Sequence, residues 1–300
     1  VKKRIGVMFD RDLHPEELAE FARVAERSGA DDLWVVEDLE WAGAVSSAAV
    51  ALAATDRLRL GIGITPAPLR NPTLLAMELA TLARVFPGRL AAGIGHGVPE
   101  WMERVGAATP AKLALLGETI TVVRALLHGE RADLAGRAVT ADGVRLVHPP
   151  AVPPPVVAGV VRPKSLELAG RVADGLILSE GQGPARIAAA LALADRGRAA
   201  APRPWGDDRL TVFAYLCVSD DPGEVARTVA PVVADTARWL GIPPDDVFMA
   251  AGDAATAAAR VTELWEAGAS TVVLRPLSTD AGAATAQARA VLTALGRPTA

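Results

Sequence analysis

The sequence predicts an α/β fold, a single (β/α)8 TIM barrel spanning residues 1–300 as one domain, and three observations predict it. Eight short apolar runs alternate with longer helical stretches. The runs are apolar on both faces, as parallel strands covered by helices must be. The turn after the first run, Phe9-Asp10-Arg11-Asp12, has no glycine, whereas an open doubly wound sheet would place its Gly-rich phosphate loop there.

The elements read in order. Strands are expected at 5–9 (IGVMF), 33–37 (LWVVE), 58–64 (LRLGIGI), 89–95 (RLAAGIG), 156–160 (VVAGV), 175–179 (GLILS), 210–218 (LTVFAYLCV) and 271–276 (TVVLRP). The first helix opens at His14-Pro15-Glu16-Glu17, with proline at its start and acids in its first turn, and closes at Ser28-Gly29. Asn71-Pro72 opens the third, with Asn71 as cap, and Phe86-Pro87-Gly88 stops it. Pro163-Lys164-Ser165 leads into the fifth, the alanine-rich stretch 185–201 is helical, and Glu266-Ala267-Gly268 ends the helix before the last strand. Two short insertions interrupt the alternation. Residues 130–155, after unit four, read as a hairpin followed by a stiff proline-rich connector, and residues 241–253 form a second insertion before strand eight.

Composition narrows the function classes. Half the chain is hydrophobic, enough for a large core, and the net charge of −4 gives no basic surplus for nucleic acid or a membrane surface. No apolar run approaches the roughly 18–20 residues needed to span a bilayer, and the opening VKKRIGVMFD does not read as a signal peptide. Cys217 is the only cysteine and lies in an apolar run, which suits a buried residue in a reducing cytoplasm. The four histidines are scattered without zinc-ligand spacing, and no metal is expected. There is no Gly-x-Ser-x-Gly elbow and no Walker loop. Chemistry by a bound organic cofactor remains.

A barrel builds its active site at the C-terminal ends of its strands. That rule selects Phe9, Asp10 and Asp12; Glu37, Asp38 and Trp41; Thr65 and Arg70; His96 and Glu100; Arg162 and Lys164; Glu180 and Gln182; Ser219 and Asp220; and Arg275. Glu37-Asp38 is either a proton-carrying pair, one pKa raised by like-charge crowding, or a set of partners for arginines. The glycines of Gly61-Ile62-Gly63-Ile64-Thr65 make room either for a flat ring at the backbone or for tight barrel packing. Gly93, Gly95 and Gly97 bracket His96, whose imidazole could bond a cofactor or substrate, or simply sit in a loop. Ala158-Gly159-Val160-Val161-Arg162 runs into a helix start, where backbone N–H groups, Arg162 and Lys164 favour an anion or stay in water. Trp41 and Trp101 wall a cavity or fill core.

These pieces, in this order, resemble the luciferase-like monooxygenase superfamily and, within it, the deazaflavin-dependent oxidoreductases. The resemblance covers nearly the whole chain. It rests on Ala25-Glu26-Arg27-Ser28-Gly29-Ala30-Asp31-Asp32-Leu33-Trp34-Val35-Val36-Glu37, on Leu69-Arg70-Asn71-Pro72, and on Gly88-Arg89-Leu90 leading into Gly93-Ile94-Gly95-His96-Gly97. It continues through Pro99-Glu100-Trp101-Met102, residues 163–175 and Ala267-Gly268-Ala269. The resemblance implies a cofactor ring over the barrel mouth and a non-proline cis peptide in strand three, at Gly63-Ile64 or its neighbour. It implies cofactor contacts from Gly63, Ile64, Thr65, Gly95, His96 and Gly97, and phosphate contacts from Ala158, Gly159, Val160, Val161 and Arg162. Relatives often carry an acid followed by His or Asn after strand two, where this chain has Glu37-Asp38, and a second glycine where it has Val160-Val161.

In its compact length and its Gly-His-Gly and Trp-Met segments the chain looks more like the deazaflavin branch, a resemblance that implies coenzyme F420 as cofactor, with FMN as the alternative. The expected function is hydride transfer between the deazaflavin and a small organic substrate. Glu37, Asp38, His96 and Glu180 are the catalytic candidates, and Phe9, Trp41 and Trp101 the substrate-cavity candidates. The alternatives are an FMN-dependent monooxygenase fed by a separate reductase, and a barrel that binds a flavin without turnover. The resemblance also implies a homodimer.

Overall fold

The computed structural model describes residues 3–200 and 205–298. Eight strands run parallel and close into a barrel: β1 (Arg4–Met8), β2 (Asp32–Val35), β3 (Arg59–Pro66), β4 (Leu90–Gly95), β7 (Val156–Gly159), β8 (Gly175–Leu178), β9 (Leu210–Val218) and β11 (Thr271–Pro276). Each of the eight expected strands is present. The remaining strands belong to the insertions. β5 (Ala132–Ala135) and β6 (Thr140–Val144) form the antiparallel hairpin, and β10 (Ala250–Gly252) pairs in parallel beside the C-terminal end of β9.

The helices follow the end signals. α1 (Leu18–Arg27) and α2 (Ala44–Ala54) flank β2, and α3 (Pro72–Val85) starts where Asn71 Oδ1 accepts from the N–H groups of Thr73 and Leu74. α4 (Pro99–Arg104) and α5 (Lys112–Leu127) follow β4, and α6 (Pro163–Val172) and α7 (Pro184–Ala200) follow β7 and β8. α8 (Pro222–Leu240), α9 (Ala254–Glu266) and α10 (Ala281–Ala294) complete the ring. One start differs from expectation: Pro15–Glu17 forms a 3₁₀ turn, and α1 begins only at Leu18. His14 makes no side-chain cap, so nothing holds the first N–H groups in α-helical register. Among the described residues no helix is long and apolar enough to cross a membrane.

Strand alternation divides the apolar residues into two layers. The outer layer, between barrel and helices, contains Ile5, Val7, Phe9, Leu33, Leu60 and Leu176. The inner layer fills the barrel with Met8, Trp34, Ala91, Val157, Ile177, Phe213 and Val273. Trp34 and Phe213 meet edge to face, ring centroids 5.5 Å apart. They settle the question of the β3 glycines: a methyl built at Gly61 overlaps the Trp34 indole, and one at Gly63 lies 2.8 Å from Phe213. On the sides where a Cβ would stand, Gly61 and Gly63 make room for Trp34 and Phe213.

Below this layer, at the N-terminal end of the barrel, sit Arg4, Asp32, Arg59 and Asp208. Arg59 reaches Asp32 at 3.3 Å and Asp208 at 2.9 Å, and Arg4 pairs with Asp208 and lies 3.6 Å from Asp32. Burial of Asp32 outweighs these cations and pushes its pKa up to about 6.

Candidate active site

The inward parity of each strand carries on past its end and fixes what reaches the mouth. On β11, Val273 points inward, so Arg275 does too; on β9, Phe213 is followed by Tyr215; on β1, Met8 by Asp10; after β2, Trp34 and Val36 by Asp38. Arg275 donates from Nε to Asp10 Oδ2 at 2.6 Å and from Nη1 to Glu180 Oε1 at 2.9 Å, and lies 5.4 Å from the Tyr215 ring centroid. Burial works against its charge, but Glu180 and Asp10 outweigh burial and raise its pKa. Burial, aided by the charge of Glu180, raises the Tyr215 phenol.

The two acids after β2 part company. Glu37 forms a two-pronged pair with Arg70, through Nε at 2.9 Å and through Nη2, and Arg70 also donates to Glu78 at 2.8 Å. Asp38 turns inward and accepts from Arg11 Nη1 at 2.5 Å. Burial holds the Asp38 carboxyl above the usual carboxylate range although Arg11 and Arg275 oppose this, and Glu180 adds to the rise. Arg11 is stacked 4.4 Å from the Trp41 centroid and 6.0 Å from that of Trp101, and Trp41 Nε1 donates to Asp12 at 3.2 Å. The two indoles, 6.3 Å apart, form a partly exposed wall beside Asp38.

Phe9 does not join this wall. It falls on the outward parity after Met8, is buried in the outer layer and packs edge to face on Phe21 of α1, with centroids 5.2 Å apart. The expectation that it lines the substrate cavity is corrected.

The other side of the mouth is backbone. The peptide Gly63–Ile64 is cis, and the pairing of β3 with β4 breaks between Ile62 and Thr65. The Ile64 side chain lies over Gly95 and Gly159, where a methyl at Gly159 would overlap it. The Thr65 hydroxyl donates to Gly93 O at 3.0 Å. His96 Nε2 lies 2.9 Å from Ser165 Oγ in the first turn of α6, and Gly97 turns the chain away at φ 70°. Burial, with the charge of Lys112, lowers the His96 pKa. A cavity of about 220 Å³ opens here, lined by His96, Gly97, Met102, Thr109 and Lys112 among others.

Near the end of β7 and in the turn after it, Ala158 and Val160 are buried in the outer layer, so only their backbone faces the rim. Val161 is partly exposed and Arg162 exposed. α6 starts at Pro163 with Arg162 as its N-cap and no side-chain cap. Pro163 has no N–H and those of Ser165 and Leu166 donate to Arg162 O, so the Lys164 N–H with the Arg162 and Lys164 side chains makes the setting that suits an anion. The mouth thus joins a backbone-lined half ending at an anion pole to an acidic half with an aromatic wall.

Sequence reasoning had singled out Asp10, Arg70 and Arg275 as strand-end residues without giving them partners. Arg11, Tyr215, Ser165 and Lys112 went unnoticed. The parity of Phe213 and Tyr215 on β9 was the signal that could have found Tyr215. Among the described residues no cluster of His, Cys, Asp or Glu is arranged to hold a metal.

The family described as luciferase-like monooxygenase matches residues 3–293. An F420-dependent glucose-6-phosphate dehydrogenase of Nakamurella multipartita is 32% identical over 57% of this chain and 54% of its own. One from Beutenbergia cavernae is 32% identical over 69% and 65%. A 5,10-methylenetetrahydromethanopterin reductase of Methanolobus tindarius is 28% identical over 72% and 65%. The chain therefore spans between about half and two thirds of the length of these relatives. In fold it is similar to an F420-dependent secondary alcohol dehydrogenase solved with an F420-acetone adduct, at TM-score 0.84 and 21% identity over 98% of this chain and 99% of that one. It is also similar to the oxygenating constituent of 3,6-diketocamphane monooxygenase of Pseudomonas putida in complex with FMN, at TM-score 0.76 and 17% identity over 100% and 98%.

Proposed function

Because the chain belongs to the luciferase-like monooxygenase family, we propose that it is an oxidoreductase that holds a deazaflavin of the F420 type and transfers a hydride between it and a small organic substrate. The observation that carries this reading is the division of one mouth into a backbone half, ending at the uncapped start of α6, and a half bearing Asp38, Asp10, Glu180 and Arg275. The first half suits a flat cofactor with an anionic tail, and the second suits a substrate that must gain or lose a proton. The F420-dependent glucose-6-phosphate dehydrogenases among its relatives support the deazaflavin over FMN.

The residues present fit such a group. Gly63, Ile64 and Thr65 would border its ring, Gly95, His96 and Gly97 its side chain, and residues 158–162 with the Lys164 N–H its phosphate. When bound, the deazaflavin supplies or accepts a hydride at the substrate carbon. The chain's own task is to position the substrate, exclude water and carry the accompanying proton.

Asp38 is the residue assigned to the proton. Burial holds its carboxyl above the usual carboxylate range, and its Oδ2 accepts from Arg11 while it faces the mouth. Glu37 is held on both oxygens by Arg70, and Glu180 is held by Arg275, so both serve better as fixed counter-charges. His96, with its lowered pKa and its bond to Ser165, suits a neutral hydrogen-bonding role. Trp41 and Trp101 would wall the substrate.

The reading includes a cytoplasmic homodimer. α2, AVSSAAVALAA, carries no charge on any face and exposes Val50, and α3 exposes Leu74, Met77 and Val85. Absorbance titration of the purified chain with oxidised deazaflavin and with FMN tests the cofactor. Saturation by the deazaflavin is expected, and saturation by FMN alone would overturn it in favour of the monooxygenase reading.

A further inference from the structure

The mouth carries more carboxylate than cation. Asp10, Glu37, Asp38, Glu78 and Glu180 face three arginines, and each arginine is engaged. Arg275 lies between Asp10 and Glu180. Arg70 lies between Glu37 and Glu78. Arg11 donates to Asp38 with its guanidinium over Trp41. The clusters share one field, since Asp38 feels the charges of both Arg275 and Glu180.

An anion entering this acidic half meets five carboxyl groups against three guanidiniums, each of the three already paired. In a partly buried cleft such charges act at an effective dielectric far below that of water, so like-charge repulsion is strong enough to select among substrates. The Trp41–Trp101 wall adds apolar surface beside the acids.

We propose that the substrate is an alcohol or carbonyl compound that carries no anionic group, and that Glu180 enforces this by holding Arg275 against Asp10. A phosphorylated or carboxylated substrate would need Arg275 as its counter-charge, and Arg275 already has two. The inference rests on the redox reading above and names the substrate class for that same site.

Isothermal calorimetry on the full chain tests it, first without and then with oxidised deazaflavin. The anionic probe is glucose 6-phosphate and its uncharged counterpart is glucose. Glu180→Gln leaves Arg275 one carboxylate partner, so this variant is expected to bind glucose 6-phosphate about tenfold or more tightly than the unaltered chain, with glucose changing by less than about twofold. Asp10→Asn releases the same guanidinium from its other side and is expected to act in the same direction, which covers the case in which one variant fails to fold. Equal affinity of variants and unaltered chain for glucose 6-phosphate, including no binding by either, overturns the proposal, as does tighter binding by the unaltered chain. The two readings fail separately. A chain saturated by FMN alone retires the deazaflavin and leaves the charge comparison standing, whereas tight glucose 6-phosphate binding retires the substrate class with the deazaflavin titration intact.

Discussion

His96 Nε2 and Ser165 Oγ lie 2.9 Å apart, tying the end of β4 to the first turn of α6. If this link orders the cofactor end of the mouth, His96→Ala and Ser165→Ala each weaken deazaflavin binding by about two- to tenfold, the worth of one hydrogen bond. The chemical step should change little. An absorbance titration gives the dissociation constant and single-turnover kinetics the step; weakened turnover at unchanged affinity would contradict this assignment.

The same histidine makes a pH prediction. Burial and Lys112 place its pKa below the ordinary 6.5. Below pH 6.5 the unfolded chain then binds more protons than the folded one. The contribution of His96 is intact above pH 6.5 and is lost as the pH falls through the folded value. Chemical denaturation of the unaltered chain and His96→Gln from pH 7.5 to 5 should show the unaltered chain losing stability relative to the variant. Parallel curves would remove the assignment.

Asp38 makes a sharper one. Asp38→Asn should lower turnover by about 10²–10⁴-fold, the usual worth of a positioned proton carrier, with deazaflavin affinity nearly unchanged. Because its carboxyl sits above the usual range, turnover in the reductive direction, which needs the protonated acid, falls as the pH rises through that value. Oxidation shows the opposite limb. Arg11→Met removes the opposing cation, so the limb should move to higher pH. An Asp38→Asn profile that retains the limb assigns it to another group.

Why Asp38 and not Glu37 was hard to read in the sequence is a matter of parity. The two acids are neighbours, and their types differ little, but one carries the inward parity of Trp34 and Val36 and the other points to Arg70. The strands were legible because a parallel barrel under helices writes continuous apolar runs. The pairings were not, because Arg11 with Asp38, Arg275 with Asp10 and Arg89 with Thr55 join residues distant along the chain. Phe9 shows the same limit: its place at a strand end was right and its face was wrong.

The exposed stripe on α3 predicts the assembly. Met77→Glu, placed between exposed Leu74 and Val85 on α3, should convert a dimer into monomers without loss of helix content. Sedimentation velocity across a concentration series reads the change, and an unaltered chain that sediments as a monomer throughout would overturn the homodimer.

Asp32 predicts a stability change from the other end of the barrel. Its pKa rises from 3.8 to about 6 because burial outweighs Arg59 and Arg4, with Asp208 and Asp31 adding to the rise. An acid whose folded pKa lies above its unfolded one binds more protons in the folded state between the two values. Its favourable contribution is therefore full below about pH 4 and is lost as the pH rises through about 6. A shift of this size is worth on the order of 2–3 kcal/mol. Asp32→Asn abolishes the titration while keeping the shape of the side chain. Urea unfolding at pH 4.5 and pH 7 should then show the unaltered chain losing about 2 kcal/mol relative to the variant on going to the higher pH. The other carboxylates are common to both proteins, so their titrations largely cancel in the difference. A difference that does not change with pH would mean that Arg4 and Arg59 keep Asp32 charged throughout, and the cluster would then be a set of fixed ion pairs closing the base of the barrel.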